Sequence, residues 1–230
     1  MCQHLLPFTE HGQRKRDYPA HYSAVNPWVR KNFKEFNDYF SVLGKILAES
    51  RDIVNVGVLH PIRSAYFNYK RYEQNCGIND IQEPFNKLIK ELTERQIPYH
   101  FIDETLLAKY GSTENGKLFM GKCAYDFVIL PKIYTMDKST EKLLRKFVKF
   151  GGKFMLYDGK PEYLEGERYD YGYLNGSVGF DDIISAQEFT AEKNCFVRTT
   201  LREDINGNRF IFAVNTGDKT IAEFKFKNGG

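Results

Sequence analysis

Ile53-Val54-Asn55-Val56-Gly57-Val58-Leu59-His60-Pro61 decides the fold. It is a short apolar run, rich in β-branched residues and ended by a proline. Such a run reads as a strand of a parallel sheet, buried on both faces. Working outward, the same kind of segment returns at Asp126 to Leu130 and at Lys153-Phe154-Met155-Leu156-Tyr157, with a further strand at Pro98 to Ile102. Helical patterns separate them. One runs from about Gln82 to Gln96, with Pro84 in its first turn and Phe85, Leu88, Ile89 and Leu92 on one face. A short one covers Glu104 to Lys109. A third is capped by Ser139, turns Leu143, Leu144, Phe147 and Val148 to the sheet and stops at Gly151-Gly152.

Strands and helices in this rhythm make right-handed βαβ units. Residues 53–160 are therefore expected to form an α/β domain: a flavodoxin-like or class I glutamine amidotransferase-like parallel sheet with flanking helices. Lys117 to Met120 adds a small strand or hairpin element around Gly116 and Gly121. Arg63 to Gly77 reads as an irregular aromatic stretch.

Three further segments surround the domain. Residues 1–52 hold an irregular aromatic stretch and a long helix. The helix starts at Asn26-Pro27, where Asn suits the cap and Pro the first helical position, and runs to about Ser50. Phe33, Phe36, Tyr39, Phe40, Leu43, Ile46 and Leu47 give it an apolar arc wide enough to pack on two sides. Residues 161–194, rich in Tyr, Gly and acids, read as an irregular connection. Residues 195–230 read as an antiparallel β segment at the C-terminus, with strands near 196–202, 209–215 and 220–226.

Composition narrows the function classes. Hydrophobic residues make up 42% and charged residues 27%, enough for a sizeable core. The 33 basic and 30 acidic residues leave +3, too balanced for a nucleic-acid groove. No run of about 18 apolar residues spans a membrane. Cys2, Cys76, Cys123 and Cys195 form no Cys-x-x-Cys pair, so neither a metal site nor a disulfide framework is expected. Reduced thiols favour a cytoplasmic setting over a periplasmic or secreted one.

No glycine-rich phosphate loop follows any strand, and no cofactor is expected. Cys123 lacks the tight strand-to-helix turn that a nucleophile needs and reads as a structural thiol. His60 and Arg63 follow the first strand, where open parallel sheets place their ligand crevice. They are candidates for a crevice or an interface: His60 as a ligand contact or a hydrogen-bonded structural group, Arg63 as a carboxylate holder or a domain anchor. Of the acids, Glu10, Asp17, Asp103, Glu104, Asp158, Glu162, Glu165 and Glu167, none is in a context expected to bury it beside a partner. The acidic run Glu162 to Asp170 reads as a solvated face.

The N-terminal stretch resembles a known family. It reads Cys2-Gln3-His4, then Gly12-Gln13-Arg14-Lys15-Arg16-Asp17-Tyr18-Pro19-Ala20-His21-Tyr22-Ser23, then Asn26-Pro27-Trp28. It resembles the end of the catalytic (β/α)8 barrel of large multidomain bacterial glycoside hydrolases of the α-L-rhamnosidase and β-galactosidase kind. Ala20 and Val29 depart from the family pattern. Val58 to Ala65, Tyr125 to Pro131 and Leu143 to Lys153 are similar to the domain after that barrel, an amidotransferase-like fold comparable to the trimerisation domain of some β-galactosidases. The resemblance implies a non-catalytic accessory or scaffold portion that supports the barrel, with oligomerisation a further role. It implies carbohydrate as the partner through the parent enzyme, and an intramolecular barrel or a second copy as the protein partner. Catalytic carboxylates would lie on earlier barrel strands, leaving none to assign here. Gln3 and His4 would line the substrate pocket, while Arg14, Arg16 and Asp17 would shape its rim or lock their loop. The alternative is a stand-alone flavodoxin-like binding module with a small ligand near His60.

Overall fold

The computed structural model describes residues 27–73, 77–193, 196–218 and 222–227. It divides into two compact units, one of residues 1–51 with 203–209, the other of 52–202 with 210–230.

In the first unit, helix α1 (Pro27–Ala48) matches the expected start and length. Phe33, Phe36, Leu43 and Leu47 form a half-buried stripe at helical spacing. The expected second packed side is open among the described residues: Tyr39 is 64% exposed and Val42 62%. Its aromatic groups pack on one another instead, Phe36 on Phe40 at 4.6 Å and Tyr39 edge-on to Phe40 at 5.2 Å. Strand β1 (Ser50–Asp52) follows, and the Arg51 guanidinium Nε donates to the Glu203 carboxylate at 3.1 Å.

The second unit is built on β2 (Val56–Leu59), the quoted run, buried at every position. Helices α2 (Ile62–Asn68) and α3 (Asn79–Glu94) lead to β3 (His100–Ile102) and α4 (Glu104–Tyr110). An antiparallel sheet of β4 (Gly111–Glu114), β5 (Lys117–Met120) and β6 (Cys123–Tyr125) precedes β7 (Phe127–Leu130). Then come β8 (Thr135–Met136), α5 (Lys138–Lys149) and β9 (Lys153–Leu156). The central sheet has the order β3-β2-β7-β9, with every pair parallel. The expected α/β class with a parallel sheet and flanking helices is therefore what the chain adopts.

Side chains alternate along these strands and divide the core into two faces. Leu59, Val128 and Leu130 join Leu107, Leu144 and Phe147 on one face. Val56, Val58, Phe127 and Ile129 join Leu88, Leu92 and Ile183 on the other. Gly57 is glycine because space is short: a Cβ there would lie 3.3 Å from both Ile102 and Tyr125.

Several local expectations are corrected. The segment after Arg63 is not irregular, because Ile62–Asn68 forms α2. Helix α3 begins earlier than read, so Pro84 falls inside it rather than in its first turn. Asp137, not Ser139, occupies the cap position of α5, and its side chain makes no capping hydrogen bond because Arg63 holds it. The region after Asp158 has more structure than a loop: β10 (Tyr163–Leu164), β11 (Glu167–Arg168) and α6 (Phe180–Ser185). The acids of that region are exposed as expected, but Leu164, Tyr171 and Leu174 between them are core residues.

The C-terminal strands are β12 (Phe189–Ala191), β13 (Val197–Asp204), β14 (Arg209–Asn215) and β15 (Phe224–Phe226). They do not form one three-stranded sheet: β13 pairs with β14, and β15 turns away to pair antiparallel with β12.

Candidate functional site

The chain passes from β2 to β3 on one side and then to β7 on the other. The topological switch therefore lies at the carboxyl ends of β2 and β7, where open α/β sheets form their ligand crevice. Here that place is occupied by polar side chains that bond to one another and to the backbone of the neighbouring strand ends. Ser64, 1% exposed in α2, accepts hydrogen bonds from the backbone N–H groups of Tyr134 at 2.8 Å and Thr135 at 3.2 Å. Two main-chain donors in the loop after β7 are thus satisfied by one hydroxyl from the segment after β2.

Arg63 stands beside it. Its Nε donates to Asp137 Oδ2 at 3.1 Å, and its terminal nitrogen donates to Thr105 Oγ1 at 3.1 Å. Asp103 fixes the third strand end by accepting from the N–H groups of Thr105 and Leu106 at the start of α4. That cap turns the next residue inward. Glu104 is 2% exposed, and its Oε2 accepts from the Asp137 N–H at 2.7 Å. Burial pushes the Glu104 carboxyl up to about 7; the Asp137 N–H opposes this, the Asp137 charge adds to it and Arg63 opposes it. The expectation that no acid is buried beside a partner is therefore corrected at Glu104. The signal was the Asp-Glu pair directly after a strand: once Asp103 caps the helix, its neighbour in the first turn faces the sheet.

The structure brings Arg63 into this node and leaves His60 outside it. The His60 N–H donates to the Ile102 carbonyl at 2.9 Å, continuing the ladder. Its ring is held edge-on by Phe85 at 5.7 Å and Phe101 at 5.9 Å, a packing role. Gln3 and His4 lie outside the described residues, as do Arg14, Arg16 and Asp17. Cys123 is a free, half-buried thiol on β6, away from any strand-to-helix turn. Among the described residues no group of three or more His, Cys, Asp or Glu is placed to hold a metal, and no described helix is long and apolar enough to cross a membrane.

Chemically, the node contains one carboxyl that titrates near neutrality, one carboxylate and one guanidinium, with a serine hydroxyl already saturated by backbone donors. That arrangement ties three strand ends together. It offers no activated nucleophile, because the Ser64 oxygen is accepting hydrogen bonds rather than facing a general base.

No protein-family model and no curated protein matches the sequence. Solved structures similar to the chain include a β-galactosidase from Rahnella sp. R3, at 16% identity and TM-score 0.48, covering 93% of this chain and 31% of that one. A GH42 β-galactosidase from G. stearothermophilus matches at 13% identity and TM-score 0.46, covering 93% and 30%. An exo-carrageenase of GH42 from Bacteroides ovatus matches at 10% identity and TM-score 0.40, covering 75% and 29%. The chain thus spans about a third of the length of the solved structures it resembles. Two of these structures are named as β-galactosidases and one as an exo-carrageenase; none of the three is named as an α-L-rhamnosidase.

Proposed function

We propose that this chain is a non-catalytic scaffold portion of a glycoside hydrolase, supporting the catalytic barrel and contributing to contacts between copies. The observation that carries the reading is the filled switch point. At the switch point, where a parallel sheet of this order offers a crevice, Arg63 is tied to Asp137, the Asp137 N–H to Glu104, and Ser64 to the backbone after β7. The resemblance of Cys2 to Trp28 to a barrel end agrees with it, and so does the exposed aromatic side of α1.

The reading predicts that the 230-residue chain does not hydrolyse 4-nitrophenyl β-galactoside, α-rhamnoside or related aryl glycosides. Turnover that disappears when a carboxylate of this chain is replaced would overturn it. A thermal-shift screen with nucleotides and flavins tests the binding-module alternative: a specific shift abolished by His60→Ala would favour that alternative.

A further inference from the structure

The amino end of the central sheet holds a cavity of ≈ 180 Å³. Three stretches of chain border it: the last turn of α3 with the loop after it, the entry to β3, and the start of β13. Val54, Ile97, Pro98 and Tyr99 give the cavity its apolar surface. An apolar pocket with a few placed polar groups is the usual make-up of a small-molecule site. The polar groups therefore decide what this one can hold.

Most of them are already engaged. Gln96 donates to the Val197 carbonyl at 2.8 Å and accepts from Thr199 Oγ1 at 2.9 Å. Thr93 Oγ1 donates to the Ile89 carbonyl at 2.6 Å. Asp52 is ion-paired with Arg202, and His100 Nδ1 lies 3.2 Å from the Tyr125 hydroxyl. Two groups are left over. The Thr200 hydroxyl is buried and makes no hydrogen bond among the described residues, although buried hydroxyls normally find a partner. Arg198 is half-buried. Its Nη1 donates to the Val197 carbonyl at 3.0 Å, and among the described residues no carboxylate pairs with it. Arg198 and Thr200 stand two apart on β13, so they point to the same face of the strand.

This pair selects a ligand class. Arg202 takes up the Asp52 charge, so Arg198 leaves the cavity with an uncompensated positive charge that repels cations. A wholly apolar ligand would strip water from the guanidinium and leave the Thr200 hydroxyl unpaired. A phosphate or sulfate would meet the charge but turn its remaining oxygens onto Val54, Ile97 and Pro98. A carboxylate presents two oxygens that match a guanidinium fork, and one of them can also accept from a hydroxyl. Volume sets the length of its tail. At about 30 Å³ for each water-sized group, ≈ 180 Å³ holds roughly six non-hydrogen atoms, the size of a four-carbon acid. We propose that this cavity binds a short-chain monocarboxylate, its carboxylate on Arg198 and the Thr200 hydroxyl and its hydrocarbon tail on Val54, Ile97 and Tyr99. The site goes beyond the scaffold reading and stands without it; turnover of aryl glycosides would overturn that reading and leave this one intact.

The test titrates the 230-residue chain with sodium butyrate, with its uncharged analogue butyramide and with inorganic phosphate, by calorimetry and amide chemical shifts. Butyrate should bind with a Kd of about 1 mM and shift the Thr199 and Thr200 amides. Butyramide and phosphate should each bind at least about tenfold more weakly. Arg198→Gln should weaken butyrate about tenfold, or roughly 1.4 kcal/mol. Thr200→Val keeps the side-chain shape and should weaken butyrate about threefold. It should not lower the Tm of the ligand-free protein, because no existing hydrogen bond is lost. Lys149→Gln should change nothing, since Lys149 is exposed and does not line the cavity. Far-UV circular dichroism verifies the fold of each variant, and Thr200→Val carries the test alone if Arg198→Gln does not fold. The proposal fails if butyrate does not bind at about 20 mM, well above that expected Kd. It fails equally if butyramide or phosphate binds as tightly, or if butyrate binding survives the folded cavity variants unchanged. A lower Tm for ligand-free Thr200→Val would show that the hydroxyl already has a partner and would overturn it too.

Discussion

The two ends of the parallel sheet are closed by polar side chains of different kinds. At the carboxyl end the closing groups are ionic: Arg63, Asp137 and the protonatable Glu104, with Ser64 between the strand ends. At the amino end they are neutral. Gln96, held at φ 57°, donates from Nε2 to the Val197 carbonyl at 2.8 Å and accepts from Thr199 Oγ1 at 2.9 Å. Both arrangements satisfy buried groups, yet only the first contains a carboxyl poised to change charge near pH 7. A neutral clamp holds its strength across pH, whereas an ionic node makes the stability of its end depend on protonation.

The strongest way to break this contrast is to import a charge into the amino end. Gln96→Glu removes the donor to Val197 and sets a carboxylate against a carbonyl oxygen in a buried site. At pH 8 it should cost about 3–4 kcal/mol, lowering Tm by roughly 10 °C for a chain of this size. Near pH 5, where burial favours the protonated acid, the loss should shrink. Thermal denaturation followed at both pH values reads the difference, and an equal loss at each would show that the amino end tolerates charge.

Ser64→Ala tests whether the carboxyl end depends on its one neutral member. The N–H groups of Tyr134 and Thr135 would be left without their acceptor, at a cost of about 2–3 kcal/mol. The effect should be the same at pH 5 and pH 8, because no ionisable group is lost. Urea unfolding with an unchanged m-value is the measurement, and a loss confined to one pH would assign the serine's contribution to its charged neighbours.

Glu104→Gln should act in the opposite direction. The folded protein raises the Glu104 carboxyl from 4.5 to about 7, so between those values it binds a proton that the unfolded chain has released. Stability is therefore fully present below pH 4.5 and declines as pH rises through about 7. Gln keeps an acceptor for the Asp137 N–H and mimics the protonated acid. It should stabilise the protein by about 2 kcal/mol at pH 8 and leave it nearly unchanged at pH 4.5. His100 changes stability in the opposite sense, since burial lowers its basicity and stability falls with acid below its unfolded value of 6.5. Comparing variant with parent at each pH isolates Glu104 from it.

The contrast also shows how far the sequence could be read. The parallel strands were legible because Val56 to Leu59 and Phe127 to Leu130 are unbroken apolar runs, and burial on two faces demands such runs. Helix α2 was hidden because Tyr66, Phe67 and Tyr69 are exposed aromatics, which carry no stripe of period 3.6. The pairing of β15 with β12 was hidden because three-residue strands leave almost no pattern of their own. At the site, the place of Arg63 after the first strand was legible and its partners were not. Asp137 and Glu104 are separated by 33 positions and meet only through the sheet order. Gln96 was invisible for the same reason, its partners lying 101 and 103 positions away.

The smallest effect is expected at Thr199→Val. Valine keeps the shape of threonine and the β-strand preference of the site, so packing on β13 is preserved. What is lost is one hydroxyl donor to Gln96 Oε1, while the bond from Gln96 Nε2 to Val197 remains. The orphaned oxygen is not sealed away. Gln96 and Thr199 border a cavity of ≈ 180 Å³ that is also lined by Thr93, His100 and Arg198. A water molecule needs about 30 Å³ and two or more polar partners, and this cavity supplies both. Replacement by water should hold the cost to about 1 kcal/mol, against about 2–3 for Ser64→Ala, whose amides face packed protein. Because neither partner titrates, the loss should be constant from pH 8 to pH 9, the range in which His100 is neutral in both folded and unfolded states. A loss above about 2 kcal/mol, or one that changes across that range, would mean that no water replaces the lost hydroxyl, and the contrast between a neutral clamp that water can repair and an ionic node would fall.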